Sequence, residues 1–420
     1  MSFNLRTVGI IAVAAASLVL GACTSGSDDG AGGNSSTPES EIASPTVTFP
    51  DLTWTRSTSA DLGGEGAQRM FDVVAADSGL VAVGMESPRF SGEDFVLVVW
   101  TSPDGSEWTR VHTIAPTAEP ADCGAYVWRA ITAGGPGLVT VGLGGACASS
   151  DGLSWQGQVG AEDPDAGVTL DVTAGGPGLV AVGVREEPTA SSAAVWTSPD
   201  GLTWTAVPDD EAVFADGYMS SVTQGGPGLV AVGQVGRPES TVAAVWTSPD
   251  GLVWTRVPHD DAVFGGEDGN ASMSSVTTGG PGLVAVGSDA PDVQSTRGAG
   301  GAAVWTSPDG ATWTRVPDDE AVFGGVEGRY MLMLSVAATE STVVAVGQSV
   351  GQPDGQPLAW SSTDEGATWS LMDLGPLFDT GETAALQIVT AGGPGLVVVG
   401  WVDTGDVGDA VVLTATPTTQ

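Results

Sequence analysis

The feature that most constrains this chain is a phrase it repeats: a run of the type GGPGLVAVG, then AAVWTSPDG, then LTWTRV. The first phrase ends at Gly84, Gly142, Gly183, Gly233, Gly287, Gly347 and Gly400, seven times in all. A spacing of 41 to 60 residues is that of one supersecondary unit stacked on copies of itself, so the repeat limits the architecture before any single residue is weighed. In the copy Tyr218–Val257, Ser220–Thr223 is a short β-prone run ended by the turn Gly225-Gly226-Pro227-Gly228. Leu229–Gly233 reads as a second strand and Ala243–Thr247 as a third. After the turn Ser248-Pro249-Asp250-Gly251, Val253–Val257 reads as a fourth. Gly and Pro-Asp-Gly punctuation between short runs marks antiparallel hairpins, and no stretch sustains a 3.6-residue period.

Four strands per unit and seven units predict an all-β fold, a seven-bladed β-propeller of four-stranded antiparallel blades. The chain ends favour a ring over an open solenoid. The last repeat has three strands (Ala384–Thr390, Leu396–Gly400, Ala410–Thr414) and stops, while Asp51–Arg56 copies the missing fourth phrase. The N-terminal strand is therefore expected to complete the C-terminal blade. Trp54, Trp108, Trp155, Trp204, Trp254, Trp313 and Trp369 recur once per unit in the fourth strand. Trp100, Trp196, Trp246, Trp305 and Trp360 recur in the third. Trp stripes can stack sugars, but once-per-unit recurrence reads as packing between blades, each buried ring contributing roughly 1.5–3 kcal/mol or more.

Residues 1–22 lie outside the repeat. Arg6 precedes an apolar run from Val8 to Val19. That run is shorter than the roughly 20 residues that span a bilayer, so it reads as an export signal. It closes with Leu20-Gly21-Ala22-Cys23, which resembles the lipobox of bacterial lipoproteins. The resemblance implies cleavage before Cys23 and acylation of Cys23, and two or three acyl chains would hold the protein stably to the membrane. Residues 23–50 are rich in Gly, Ser, Thr, Pro and acids and are expected to form a tether with a reach on the order of 30 Å. The propeller is then assigned to 51–420, on the extracytoplasmic face of the cell membrane. With Cys23 lipidated, Cys123 and Cys147 remain as an even pair in an oxidising compartment. A disulfide between them would contribute about 3 kcal/mol.

The chain has no Lys, 12 Arg and 51 acidic residues, a net charge of −39. Such a field repels nucleic acid and anionic lipid, leaving the lipid anchor as the expected contact with the membrane. A monomer is expected.

The turn phrase is the most specific signal. Ser362-Thr363-Asp364-Glu365-Gly366-Ala367-Thr368-Trp369 resembles the Asp-box, or bacterial neuraminidase repeat, whose pattern is S-x-D-x-G-x-T-W. Shorter versions run Ser102–Trp108, Ser198–Trp204, Ser248–Trp254 and Ser307–Trp313, with a degenerate one at Ser150–Trp155. Asp-box propellers include sialidases, sortilin-type receptors, photosystem II assembly factors and some endoglucanase-like enzymes. In that family the box is a structural hairpin away from the active face. The resemblance therefore implies that Asp104, Asp151, Asp200, Asp250, Asp309 and Asp364 form turns rather than catalyse.

Function is expected on the opposite face, where the loops joining strand four to strand one and strand two to strand three meet. Three loops there are near copies: Pro208–Phe214 (PDDEAVF), Pro258–Phe264 (PHDDAVF) and Pro317–Phe323 (PDDEAVF). They read either as acidic Ca²⁺ sites or as Asp-capped helical turns with a buried Phe, and the repeated Val and Phe favour the turns. Asp403, Asp406 and Asp409 form another acidic run that would suit Ca²⁺. No other cofactor or metal is expected; His112 and His259, the two histidines, lie on loops of different units.

Sialidases of the Asp-box family share an arginine triad, a Tyr nucleophile paired with Glu, and an Asp acid. Arg69, Arg129 and Arg329, with Tyr126, Tyr218 and Tyr330, are the residues that could take such roles. Their offsets from the repeat differ, the family's F/Y-R-I-P phrase is absent, and the family has six blades. The expected function is thus a cell-surface lipoprotein whose non-catalytic propeller binds an envelope protein or glycan through its loop face. A sialidase-like or two-carboxylate glycoside hydrolase is the alternative.

Overall fold

The repeat phrases fold as antiparallel strands in the computed structural model, which describes residues 44–418 apart from 65, 88–94, 115–122, 124–126, 136, 158–166, 187–190, 238–239, 266–268, 292–300, 325–328, 352–355 and 404–407. The first meander comprises Ala67–Ala76, Gly79–Ser87, Val96–Ser102 and Thr109–Ile114. The second comprises Val127–Gly134, Gly137–Leu143, Gly145–Ser149 and Gln156–Gly157, and the third Val168–Gly175, Gly178–Glu186, Ser191–Ser198 and Thr205–Ala206. The fourth (Gly217–Gly225, Gly228–Gly236, Thr241–Ser248, Thr255–Arg256) and fifth (Gly269–Gly279, Gly282–Pro291, Gly301–Ser307, Thr314–Arg315) join into one eight-stranded sheet through a parallel bridge between Thr241 and Asn270. The sixth comprises Arg329–Ala338, Val343–Gly351, Gln356–Ser362 and Ser370–Asp373. In the last, Thr383–Gly392, Gly395–Asp403 and Gly408–Pro417 are extended by Leu52–Arg56 from the other end of the chain. Thr46–Thr48, from the Ser/Thr/Pro-rich stretch, adds a fifth strand there. The fold is all-β, built of four-stranded antiparallel units in the manner of a β-propeller.

The repeated phrase has a steric cause. The first strand of each meander carries a bulge, at Phe71, Arg129, Leu170, Ser220, Ser274, Leu334 and Gln387. Opposite each bulge stands the glycine that closes the phrase. A Cβ on Gly84 would collide with the Arg69 carbonyl oxygen, one on Gly233 with that of Tyr218, and one on Gly347 with that of Leu332. The bulge and the glycine therefore require each other.

The core lies between meanders rather than within them. Val180, Val182 and Val195 of the third pack with Met219, Leu229 and Trp246 of the fourth. The same arrangement joins the fourth to the fifth and the sixth to the last. Another cluster joins Leu80 and Trp100 of the first meander to Val397 and Val412 of the last. Trp100, Trp246, Trp305 and Trp360 are fully buried, and their indole N–H groups donate to Asp61, Val213, Val263 and Val322 carbonyls at 2.9, 2.8, 2.6 and 2.8 Å. These four third-strand rings thus tie down the segments entering their own meanders. In the second meander Cys147 occupies that ring's position, and Trp128 fills the space from a strand where the first, fourth, fifth and sixth meanders carry Met.

Candidate functional site

The residues nominated for a sialidase-like site occupy unlike register positions. Arg69 pairs opposite Met85, one residue before the buried Met70. Its guanidinium lies over the Trp401 ring, 4.7 Å from the centroid. Burial lowers its pKa while the charge of Asp403 opposes that shift. Arg129 is the exposed bulge residue between Trp128 and Ala130. Arg329 pairs with Gly351, four residues before Met333, and its side chain lies outside the described residues. Tyr218 pairs with Gln234 and Tyr330 with Val350, while Tyr126 lies outside the described residues. So does Asp406, and the Asp409 carboxyl is raised by burial.

In the turn at Ser307, the hydroxyl accepts from Gly310 N at 2.8 Å. The Asp309 carboxylate accepts from Ala311 N and Thr312 N at 2.9 and 2.7 Å, and the Trp313 indole donates to Gly310 O at 2.9 Å. The main-chain donors hold the carboxyls of Asp151, Asp200, Asp250 and Asp309 below the usual range. In Asp104 and Asp364 the lowering comes first from the Ser106 and Thr368 hydroxyls. Cys123 and Cys147 are joined in a disulfide, their Cα atoms 6.1 Å apart.

Two of the acidic loops form short helices, α1 (Glu211–Phe214) and α2 (Asp261–Phe264). Asp210 and Asp260 cap them, accepting from Ala212 N and Ala262 N at 3.0 and 2.9 Å, and Phe214 and Phe264 are buried. Asp319 makes the same bond to Ala321 N at 3.0 Å over a turn that buries Phe323. These carboxylates satisfy the free N–H groups that open a helical turn.

Two groups that matter were not nominated from the sequence. The residue after the bulge is Asp72 in the first meander and Asp171 in the third. Asp72 accepts from Val73 N and, across the junction, from Ile131 N of the second meander, both at 2.7 Å. Asp171 accepts from Val172 N at 2.7 Å and from Val222 N of the fourth at 2.8 Å. Ser221, Ser275 and Ser335 stand at the same position and accept from Val276, Val336 and Val389 N at 3.4, 3.3 and 3.1 Å. Ala130 and Ile388 hold it in the second and last meanders, so those junctions have no such bond. Both Asp residues keep some accessible surface, yet their carboxyls are enclosed by protein. Desolvation pushes Asp72 up to about 8, with the charge of Asp171 adding to it, and Asp171 up to about 6. Aligning the repeats on Asp-Val, Ser-Val and Ala-Ile would have exposed the position.

The second group lines a cleft of about 490 Å³ beside the fourth meander, formed by the end of its second strand with Arg237, the start of its third, and residues of α1 and α2. Val213, Val235, Val242, Ala243 and Phe264 give it an apolar lining. Arg237, Arg256 and His259 also line it, a concentration of basic groups in a chain of net charge −39. His259 Nε2 is 2.8 Å from Asp261 Oδ1, and Arg237 Nη1 is 3.9 Å from the same oxygen. Arg256 Nη1 donates to Ala215 O at 3.3 Å. An apolar cleft with a few convergent polar groups is the form of a small-molecule or peptide site.

No protein-family model and no curated protein matches the sequence. Solved structures that it resembles include a Trypanosoma rangeli sialidase in complex with the inhibitor DANA, at 13% identity and a TM-score of 0.40, covering 83% of this chain and 55% of that one. The chain thus spans about half the length of that sialidase. They also include a Penicillium chrysogenum α-L-arabinanase complexed with arabinobiose (12%, TM-score 0.40, 89% and 98% covered). A third is Chaetomium thermophilum Sqt1 (12%, TM-score 0.46, 82% of each chain).

Proposed function

We propose that the chain is an exported lipoprotein anchored through Cys23, whose seven meanders close as the blades of one propeller. It binds an envelope protein or glycan without catalysis, on the face where consecutive blades are connected. Closure is supported by the shared core of the first and last meanders and by a turn contact between them: a Cβ on Gly393, whose φ is +57°, would lie 2.7 Å from Asp104 O. The observation that carries the binding reading is the cleft at Arg256, on the end of the fourth meander opposite its Ser-Pro-Asp-Gly turn.

Asp72 and Asp171 favour a second reading, a two-carboxylate hydrolase, because enclosed acids with separated pKa values suit acid and base roles. Each, however, accepts two main-chain N–H groups and stands where Ser221, Ser275 and Ser335 do the same work, which argues for a clip between blades. The test is retention of envelope components by the full chain and by Ala212→Trp, which fills the cleft from the exposed side of α1. The wild type should retain a component that the variant loses. Equal retention would overturn the assignment to the cleft, and turnover of a fluorogenic sialoside or arabinoside would overturn the absence of catalysis.

A further inference from the structure

We infer that the cleft takes a ligand bearing a single carboxylate beside an apolar group, and that Arg256 holds the carboxylate. This rests on the reading of the cleft as a binding site. The argument comes from comparing four arginines at one repeat position, two residues after the fourth-strand Trp: Arg56, Arg110, Arg256 and Arg315. Three have a carboxylate partner. Arg56 Nη1 lies 2.7 Å from Glu382 Oε2, Arg110 pairs with Glu86, and Arg315 lies 3.1 Å from Asp289 and 3.8 Å from Asp318. The positions of those last two carboxylates can be followed into the fourth meander. Asp289 is two residues past Gly287, and the residue two past Gly233 is Val235. Asp318 follows Pro317, and the residue after Pro258 is His259. Both of the anions that neutralise Arg315 are thus replaced around Arg256, one by an apolar group and one by a base.

Among the described residues no carboxylate lies within 4.0 Å of the Arg256 guanidinium, whose hydrogen bond is to the Ala215 carbonyl. It is the fork of a guanidinium–carboxylate pair with the acid removed, and it opens on a cleft. A planar guanidinium matches a carboxylate with two parallel hydrogen bonds, so an incoming acid would rebuild the pair its sister sheets make internally. Val235, Val242 and Phe264 would cover the ligand's apolar part. The net charge of −39 disfavours multiply charged anions far more than a single carboxylate held by Arg256. A free organic acid and a polypeptide C-terminus with an apolar last residue share this chemistry.

The test is calorimetric titration of the full chain with 3-phenylpropionate and N-acetyl-Ala-Phe, each against its amide. Either acid should bind at least tenfold more tightly than its amide, and the tighter acid identifies the source. Arg256→Ala should weaken binding of that acid tenfold or more. Val235→Asp restores the internal counter-ion found at Asp289 and should abolish binding while raising or preserving the melting temperature, which keeps the test decisive where Arg256→Ala folds poorly. Acid and amide binding equally, with Val235→Asp without effect, would overturn the carboxylate assignment and leave the cleft as a binding site. Binding unchanged in Ala212→Trp would overturn the site itself, and no binding of either acid at 10 mM would overturn the inference.

Discussion

Asp72→Asn should gain stability relative to the wild type as pH rises from 5 to 9. In the folded protein the Asp72 carboxyl is raised to about 8, chiefly by desolvation, from an ordinary value of 3.8. The folded state therefore keeps a proton that the unfolded chain gives up. Stability from this group is fully present below pH 4, falls as pH rises, and levels off above pH 8. At about 1.4 kcal/mol per pH unit, the part of this window between pH 5 and pH 8 amounts to about 4 kcal/mol. Asn cannot ionise and escapes the loss. It can accept only one of the two N–H groups at Val73 and Ile131 with its oxygen, which costs about 1 kcal/mol at every pH. Urea melts followed by tryptophan fluorescence should show the difference between variant and wild type moving by about 4 kcal/mol in favour of Asn from pH 5 to pH 9. For Asp171→Asn, with the carboxyl at about 6, the movement should be smaller, about 1 kcal/mol, and complete by pH 7. Removing that charge should also lower Asp72, so the double variant should be less than additive. Parallel stability curves for Asp72→Asn and wild type from pH 5 to pH 9 would refute the reasoning.

Three other outcomes follow from the packing. Trp313→Phe should cost about 1 kcal/mol more than Trp54→Phe in denaturant melts, because the Trp313 indole donates to Gly310 O while the buried Trp54 Nε1 has no acceptor among the described residues. Gly233→Ala should cost about 2 kcal/mol or more, since its Cβ meets the Tyr218 carbonyl oxygen; a neutral result would remove the bulge as the reason for the phrase. Reduction of the Cys123–Cys147 bond, with a separation of 24 residues, should lower stability by about 3 kcal/mol, measured as the midpoint shift on adding reductant.

The orphaned Trp54 shows how far the sequence could be read. The phrase Leu52-Thr53-Trp54-Thr55-Arg56 placed that strand against the last meander, where it pairs with Leu413–Pro417. In a continuous unit the turn joining third to fourth strand supplies a Gly carbonyl to the indole; here the third strand is at the other end of the chain and no such turn precedes Trp54. In the second to fifth meanders the fourth strands are shorter than their pattern suggests. Only Thr255 and Arg256 pair in the segment read as Val253–Val257, because Trp254 still belongs to the turn through its bond to Gly251 O. The bulges were not legible because a bulge is a backbone event whose sequence mark, the opposing glycine, is shared with ordinary turns. The clip at Asp72 and Asp171 was hidden for a related reason: single residues two meanders apart acquire meaning only when strands from different repeats are placed side by side.

A repeat protein offers its own controls, and they separate departures that are compensated from those that are not. Cys147 in place of a third-strand Trp leaves a hole, but Trp128 on the first strand of the same meander fills it and packs 5.1 Å from Trp155, so the departure restores the core by another route. Ala130 and Ile388 in place of Asp or Ser remove a clip, and no charge is left behind. Val235 and His259 differ from these, since they take two anions away from a position that keeps its cation. The fold does not demand a cation at this position, since the third meander carries Ala206 at the corresponding place, and Arg256 makes its bond to the Ala215 carbonyl rather than to an acid. A guanidinium with no carboxylate partner among the described residues, in the lining of an apolar cleft, is a fork that a bound carboxylate would complete.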